Sequence, residues 1–203
     1  VIAKLVAAQL RRPSGRVGRV LGNLLNRSNR DMNRRAVAHL DVRSGQRLLD
    51  IGFGGGVGID AMLDISDTVS VVGVDFSDDM VDQQRARFAG NDRVRIEHAD
   101  VAQMPFADAH FDRALSSNTI YFWPDPAASL LEIRRVLRPG GRLVLACATP
   151  RELERFPPAR HGFTAYGCDD LRRLLQDTGY DGLEFARPRG ERAFFTIAHR
   201  SAD

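Results

Sequence analysis

A short apolar run, Arg47-Leu48-Leu49-Asp50-Ile51, ends abruptly in Gly52-Phe53-Gly54-Gly55-Gly56. Five residues is the length of a strand. Glycines at its end let the backbone turn sharply and come close to a ligand. The segment after them, Val57 to Leu63, reads as a short helix. Strand, glycine turn and helix together open a βα unit, and the turn amides and helix N-terminus offer partial positive charge.

The rest of the chain repeats the alternation. Val69 to Val74 is β-branched and continuous, as a parallel strand buried on both faces should be. Ser77 to Phe88 reads as a helix with Ser77 as its N-cap. Val94 to His98 and Phe111 to Ser116 are further strands, and Pro126 to Leu137 is an amphipathic helix stopped by Arg138-Pro139-Gly140-Gly141. Arg142 to Cys147 is a fifth strand, and Leu171 to Gln176 a helix. Leu183 to Ala186 and Ala193 to His199 form an antiparallel pair. Such alternation predicts a doubly wound α/β sheet. At 203 residues, a single domain over 1–203 is expected: a helical N-terminal lid over 1–43 and a Rossmann-like core over 44–203. Residues 149–167 are a long connection, a common place for an active-site lid. In the N-terminal part Ile2, Leu5, Val6 and Leu10 recur at helical spacing, Val17 to Leu25 resume it, and a further helix spans Asn29 to Leu40.

Open α/β sheets bind ligands beyond the carboxyl ends of their strands. A dinucleotide site of the GxGxxG type would need glycine at position 57, which is Val57. The spacing is instead GxGxG through Gly52, Gly54 and Gly56. Asp75 ends the second strand, placed to accept the two hydroxyls of a ribose. Asp100, within Ala99-Asp100-Val101 just past the third strand, suits an adenine edge or a helix cap.

These residues, in this order, resemble the class I S-adenosylmethionine-dependent methyltransferases, of the small-molecule type related to ubiquinone and menaquinone biosynthesis. The likeness is carried by Leu48-Leu49-Asp50-Ile51-Gly52-Phe53-Gly54-Gly55-Gly56, by Val74-Asp75-Phe76-Ser77, by Ala99 to Asp108 with Phe111-Asp112, and by Leu131 to Leu143 with its Leu137-Arg138-Pro139-Gly140-Gly141 core. It covers Arg47 to Ala148, and Phe163 to Tyr180 more loosely. The resemblance implies a seven-stranded sheet of order 3-2-1-4-5-7-6 with strand 7 antiparallel, and S-adenosyl-L-methionine as cofactor. It implies that Asp50 orients the glycine loop and that Gly52, Phe53 and Gly54 lie along the methionine part. It gives Asp75 the ribose, Phe76 and Met80 the surroundings of the adenine, and Asp100 and Val101 the adenine edge. Ser117 and Asn118 face the transferable methyl. The family's usual pair after strand four is replaced by Thr119-Ile120-Tyr121-Phe122-Trp123, so the departure falls on the acceptor side.

Methyl transfer from a sulfonium depends mostly on orientation, and a base is needed only where the acceptor must lose a proton. Tyr121 and His161 are the catalytic candidates, with Tyr166 a third. Tyr121, Phe122, Trp123, Phe156 and Phe163 suit an apolar or aromatic small-molecule acceptor. Asn29 and Asn33, with Met32 beside them, share one helix face directed at cofactor or acceptor. No metal-ligand cluster is evident, and Cys147 and Cys168 have no zinc-site spacing.

Charge is uneven. Residues 1–43 hold ten basic side chains against Asp31 and Asp41, within a chain of net charge +3. A basic N-terminus suggests weak contact with an anionic surface, or an alternative reading with a nucleic-acid or lipid-associated substrate. No base-stacking motif accompanies the arginines, so nucleic acid is disfavoured. A non-catalytic cofactor-binding module is the third reading. With no apolar run of membrane-spanning length and no signal-peptide pattern, a cytoplasmic monomer or homodimer is expected.

Overall fold

A computed structural model describes residues 2–11, 15, 29–187 and 192–202. The helix expected over Val17 to Leu25 lies outside the described residues, as do Arg12, Arg16, Arg19 and Arg27 of the basic segment. The elements run α1 (Ile2–Arg11), α2 (29–39), β1 (Arg47–Ile51), α3 (Val57–Leu63), β2 (Ser70–Asp75), α4 (Asp78–Arg87), β3 (Val94–His98) and β4 (Phe111–Ser117). There follow α5 (Pro126–Val136), β5 (Leu137–Ala148), α6 (Pro150–Arg155), α7 (Cys168–Asp177), β6 (Tyr180–Ala186) and β7 (Ala193–Arg200).

The strands form one seven-stranded sheet of order β3-β2-β1-β4-β5-β7-β6, with β7 antiparallel to both neighbours and the other ladders parallel. This is the order that the resemblance implies. Its cause is visible in the side chains, which alternate between two cores. Leu49 and Ile51 of β1, Leu143, Leu145 and Cys147 of β5, and Phe194 of β7 pack on one face with α5 and α7. Leu48, Val144, Ala146, Phe195 and Ile197 pack on the other with α2, α3 and α4. The apolar runs are continuous because both faces are covered. Leu171 and Leu175 of α7 are fully buried, and each such side chain contributes about 1.5–3 kcal/mol to docking its helix.

Helix starts follow local chemistry. Ser77 Oγ accepts from the Met80 amide at 3.4 Å, and Asp125 accepts from the Ala128 amide at 3.0 Å with Pro126 at the first helical position. Three bounds differ by three residues or more from those read in the sequence. β5 begins at Leu137 because Arg138-Pro139-Gly140-Gly141 bulges within the strand: Phe111 pairs with Leu137 and Arg113 with Arg142. α7 begins at Cys168 because Asp170 reaches back to the Gly167 amide at 2.9 Å, a cap that carries no hydrophobic period. β6 begins at Tyr180, whose buried hydroxyl donates to the Leu130 carbonyl at 3.0 Å.

α2 lies across the second core through Ala36, Val37 and Leu40. Its C-terminal carbonyls are held from the sheet. Arg113 donates to Leu40 O at 2.7 Å and Asp41 O at 3.2 Å, and Arg142 donates to His39 O at 2.9 Å. α1 packs on the short 3-10 turn Pro157–Arg160 within the 149–167 connection. No helix among the described residues is long and apolar enough to cross a membrane.

Candidate active site

Five parallel strands, β3, β2, β1, β4 and β5, share one carboxyl end of the sheet, and their order reverses between β1 and β4. That reversal opens a crevice. The glycine turn sits in it. Gly52, Gly54 and Gly56 all have positive φ, 68°, 49° and 77°. A side chain at Gly52 would collide with the Thr119 methyl, and one at Gly56 would lie 2.6 Å from Gln84 Oε1. Gly54 is different: a Cβ there meets nothing within 4 Å, so this part of the turn faces open space.

Asp75 ties the turn to β2. Its Oδ2 accepts from the Gly54 amide at 3.0 Å, and its Oδ1 from the Ser77 amide at 2.9 Å. Burial raises its pKa above the ordinary carboxylate value, and those amides offset part of the rise. Asp50 lies beneath the turn, 2% exposed. Burial, with the charges of Asp75 and Asp60 beside it, pushes its carboxyl up to about 7, against a hydrogen bond from the Ile59 amide. Asp50 Oδ2 and Ser117 Oγ are buried with no hydrogen-bond partner among the described residues.

The remaining expected cofactor residues divide by position. Phe76 is 51% exposed beside Asp75 and stacks on His98, centroids 5.9 Å apart. His98 Nε2 also lies 3.0 Å from Phe76 O, fixing the pair as one platform. Its place at the end of β3, next to β2, puts the His98 ring beside Phe76. Asp100 is exposed and caps its own turn through the Ala102 amide at 2.9 Å, with Val101 half-buried behind it. Phe53 turns its ring into the core against Gly73, so it faces the crevice only through backbone. Met80 is 2% exposed in that same core.

Asn118 follows β4 with φ of 56°, an uncommon conformation for a residue with a side chain. Its amide donates to Ala146 O at 2.9 Å, and its side chain meets Met32 Sδ at 3.8 Å. Next to it lies a cleft of about 360 Å³ lined by Asn29, Asp31, Met32 and Arg35 of α2, by Asn118 and Ala148, and by Arg192 and Ala193. Of the three α2 residues expected there, Asn29 and Met32 line the cleft. Asn33 is buried and donates to Asn29 O at 3.0 Å, holding the helix rather than the cleft. Arg35 and Arg192 were not foreseen. Arg192 enters only because Ala193 pairs with Ala148 across antiparallel β7 and β5, a long-range register no motif announces.

The catalytic candidates fare differently. Tyr121 is 3% exposed; its hydroxyl donates to Asn118 Oδ1 at 3.1 Å and accepts from the Ala148 amide. Burial, with Cys147 beside it, holds its ionisation well above the ordinary tyrosine value. A hydroxyl so engaged positions Asn118; it does not accept a proton near neutrality. His161 is exposed at the end of the Pro157–Arg160 turn and does not line the cleft. Tyr166 is half-buried and packs on the core beside Cys168. The aromatic set is real as packing: Phe163 lies 4.5 Å from Phe122, 6.0 Å from Tyr121 and 6.4 Å from Phe156, centroid to centroid. No group of residues able to hold a metal occurs among the described residues.

A family model described as a methyltransferase domain matches residues 49–145, the span from β1 to β5. The O-methyltransferase rstn1 of Aspergillus nomiae is 33% identical over 157 residues, 70% of this chain and 67% of that protein. The chain belongs to the S-adenosylmethionine-dependent methyltransferase family. Its cofactor is S-adenosylmethionine. The O-methyltransferase resE of Aspergillus sclerotiorum is 32% identical over 172 residues, 76% of this chain and 62% of that protein. The chain spans 31% to 67% of the length of the first curated relatives it matches. In fold it is similar to a solved chain from the complex of the Haloferax volcanii Trm112 methyltransferase activator with its methyltransferase, with a TM-score of 0.79, 21% identity, and coverage of 89% of this chain and 93% of that one.

The crevice suits this cofactor on its own chemistry. It presents a carboxylate at the end of β2, open backbone at Gly54, an exposed aromatic platform and, at the end of β4, the Ser117 hydroxyl, which has no partner among the described residues. S-adenosylmethionine carries hydroxyls, an amino group and an aromatic base to match.

Proposed function

We propose that this methyltransferase transfers the methyl group of S-adenosylmethionine to an oxygen of a small-molecule acceptor. One observation supports the reading: Asn118, which follows β4 beside the switch in strand order, lines a cleft of about 360 Å³ together with α2. Donor and acceptor would meet at the end of β4. Oxygen is favoured because the relatives rstn1 and resE are O-methyltransferases.

Bound S-adenosylmethionine supplies an electrophilic methyl on a positively charged sulfur. Asp75 would take the ribose hydroxyls with the lone pairs its amide donors leave free. Phe76 and His98 would face the adenine, with Asp100 and Val101 at its edge. Gly52 and Gly54 would line the methionine part through backbone, with Asp50 beneath them orienting the turn, and Ser117 would offer its hydroxyl there. Asn118 would sit between donor and acceptor, its side chain oriented by the Tyr121 hydroxyl. α2 would roof the acceptor cleft through Asn29 and Met32, the function expected of a lid over 1–43. Orientation is the main contribution, worth up to about 7–11 kcal/mol in well-ordered systems.

Calorimetry with S-adenosylmethionine, followed by a screen of oxygen acceptors with radiolabelled donor, tests this. Binding with label appearing in a small molecule supports it. Absence of binding overturns it.

A further inference from the structure

Three consecutive glycines, Gly54-Gly55-Gly56, make up the outer half of the cofactor turn. Such backbone loses more freedom on ordering than any other, so its shape depends on restraint from outside. The inner half is held by β2: the Gly52 amide donates to Val74 O at 2.7 Å, and the Gly54 amide to Asp75 Oδ2 at 3.0 Å. The outer half runs into α3, whose N-terminus at Gly56 has no side-chain cap.

Arg87, the last residue of α4, reaches this outer half. Its Nη2 donates to both carboxylate oxygens of Asp60, in the first turn of α3, at 2.7 and 2.6 Å. Its Nη1 donates to Gly55 O and to Gln84 Oε1, each at 3.4 Å. Gln84, three residues earlier on α4, is buried. A Cβ at Gly56 would lie 2.6 Å from Gln84 Oε1 and 2.8 Å from Arg87 Nη1, so the space glycine leaves is the space this pair uses. The Asp60 amide donates to Gly56 O at 3.0 Å, which links the carboxylate's own residue to the turn. One guanidinium thus joins the glycine turn, α3 and α4. Arg87 and Asp60 are each 42% exposed, and an ion pair so exposed adds little to global stability. What it fixes is local: where Gly55 and Gly56 stand.

We infer that Arg87 is a positioning residue for the cofactor: its bridge between Asp60 and Gly55 O holds the outer half of the glycine turn in the shape that S-adenosylmethionine meets. The inference rests on the assignment of that turn to the cofactor. Arg87 acts through the turn and not on the cofactor itself, so the effect depends on Asp60 as much as on Arg87.

Titration calorimetry with S-adenosylmethionine on Arg87→Met, Asp60→Asn and the double variant tests this, with hydrogen exchange of the unliganded proteins as a second readout. Affinity is expected to fall at least about fivefold in each single variant. It should fall no further in the double variant, because both changes break the same bridge. Exchange over residues 54–60 is expected to quicken while the strands keep their protection. Unchanged affinity in Arg87→Met overturns the inference. So does a loss in Arg87→Met with Asp60→Asn binding as tightly as wild type, because that would put the guanidinium directly on the cofactor. Quickened exchange throughout the sheet would make the pair a general brace and overturns it too. If the wild-type protein takes up no S-adenosylmethionine, the cofactor assignment itself is what fails.

Discussion

The Tyr121 hydroxyl donates to Asn118 Oδ1 at 3.1 Å while accepting from the Ala148 amide, so a single buried hydroxyl joins the ends of β4 and β5. Asn118 holds a positive φ, and besides Tyr121 its side chain meets the weak acceptor Met32 Sδ at 3.8 Å. Tyr121→Phe removes both bonds and leaves the Ala148 amide unpaired, at a cost of about 1–3 kcal/mol in stability. The kinetic expectation is a lower kcat with the pH profile of kcat/KM unchanged in shape. Loss of an ionising limb in the profile would instead make Tyr121 a proton acceptor.

Asp75 ties the glycine turn to β2 and is proposed to hold the ribose. Asp75→Ala removes the carboxylate and frees the Gly54 amide it holds. S-adenosylmethionine affinity is expected to fall by at least about tenfold, about 1.4 kcal/mol. Titration calorimetry measures it, and an unchanged Kd would remove the ribose assignment.

Neighbouring glycines separate folding from binding. Gly52→Ala meets two penalties, a positive φ and the Thr119 methyl. Together these cost about 2–5 kcal/mol. Gly54→Ala carries only the backbone penalty of about 1–2 kcal/mol, because its side faces open space. The first variant is expected to unfold at lower urea. The second is expected to stay folded and lose cofactor affinity. Equal loss of stability in the two would contradict the geometry.

Asp50 makes stability depend on pH. Its carboxyl titrates near 3.8 in the unfolded chain and at about 7 in the fold. Below the lower value both states hold the proton. Between the two values the unfolded chain has released it and the fold keeps it, so this group's contribution to stability falls as pH rises through that window. Asp50→Asn should flatten that fall, so its stability relative to wild type rises from about pH 4 to about pH 7. Urea unfolding across the range checks it. A constant difference would mean the carboxyl ionises normally.

Much of the fold was legible because its signals are local. The β-branched run Val69 to Val74 and the glycine turn each declare themselves within a few residues, and the sheet order follows once the motifs fall in sequence. Asp75 was legible for the same reason: it sits where a strand stops. Tyr121 was not, because the sequence places its ring after β4 without saying which way the hydroxyl points. Burial and the Ala148 amide decide that, and both come from β5 packing. Arg192 was invisible because it reaches the cleft only through the Ala148–Ala193 register. Met80 and Phe53 lie close in sequence to the cofactor motifs, yet helix and turn geometry send their side chains into the core.

The last prediction concerns how α2 is kept over the cleft. Its exposed N-terminal end carries Asn29 and Met32 to Asn118, while its far end is held by Arg113 and Arg142. Guanidinium groups at a helix C-terminus satisfy carbonyls left without helical partners and oppose the helix dipole. Arg113 makes two such bonds and Arg142 one, and each bond to a charged group contributes about 1.5–3 kcal/mol. Arg113→Gln should therefore loosen α2 more than Arg142→Gln. Hydrogen exchange over residues 29–40 is expected to quicken, with acceptor KM raised. S-adenosylmethionine affinity should hold, because neither arginine touches the glycine turn or Asp75. Unchanged protection of α2 would show that burial of Ala36, Val37 and Leu40 alone keeps the helix in place.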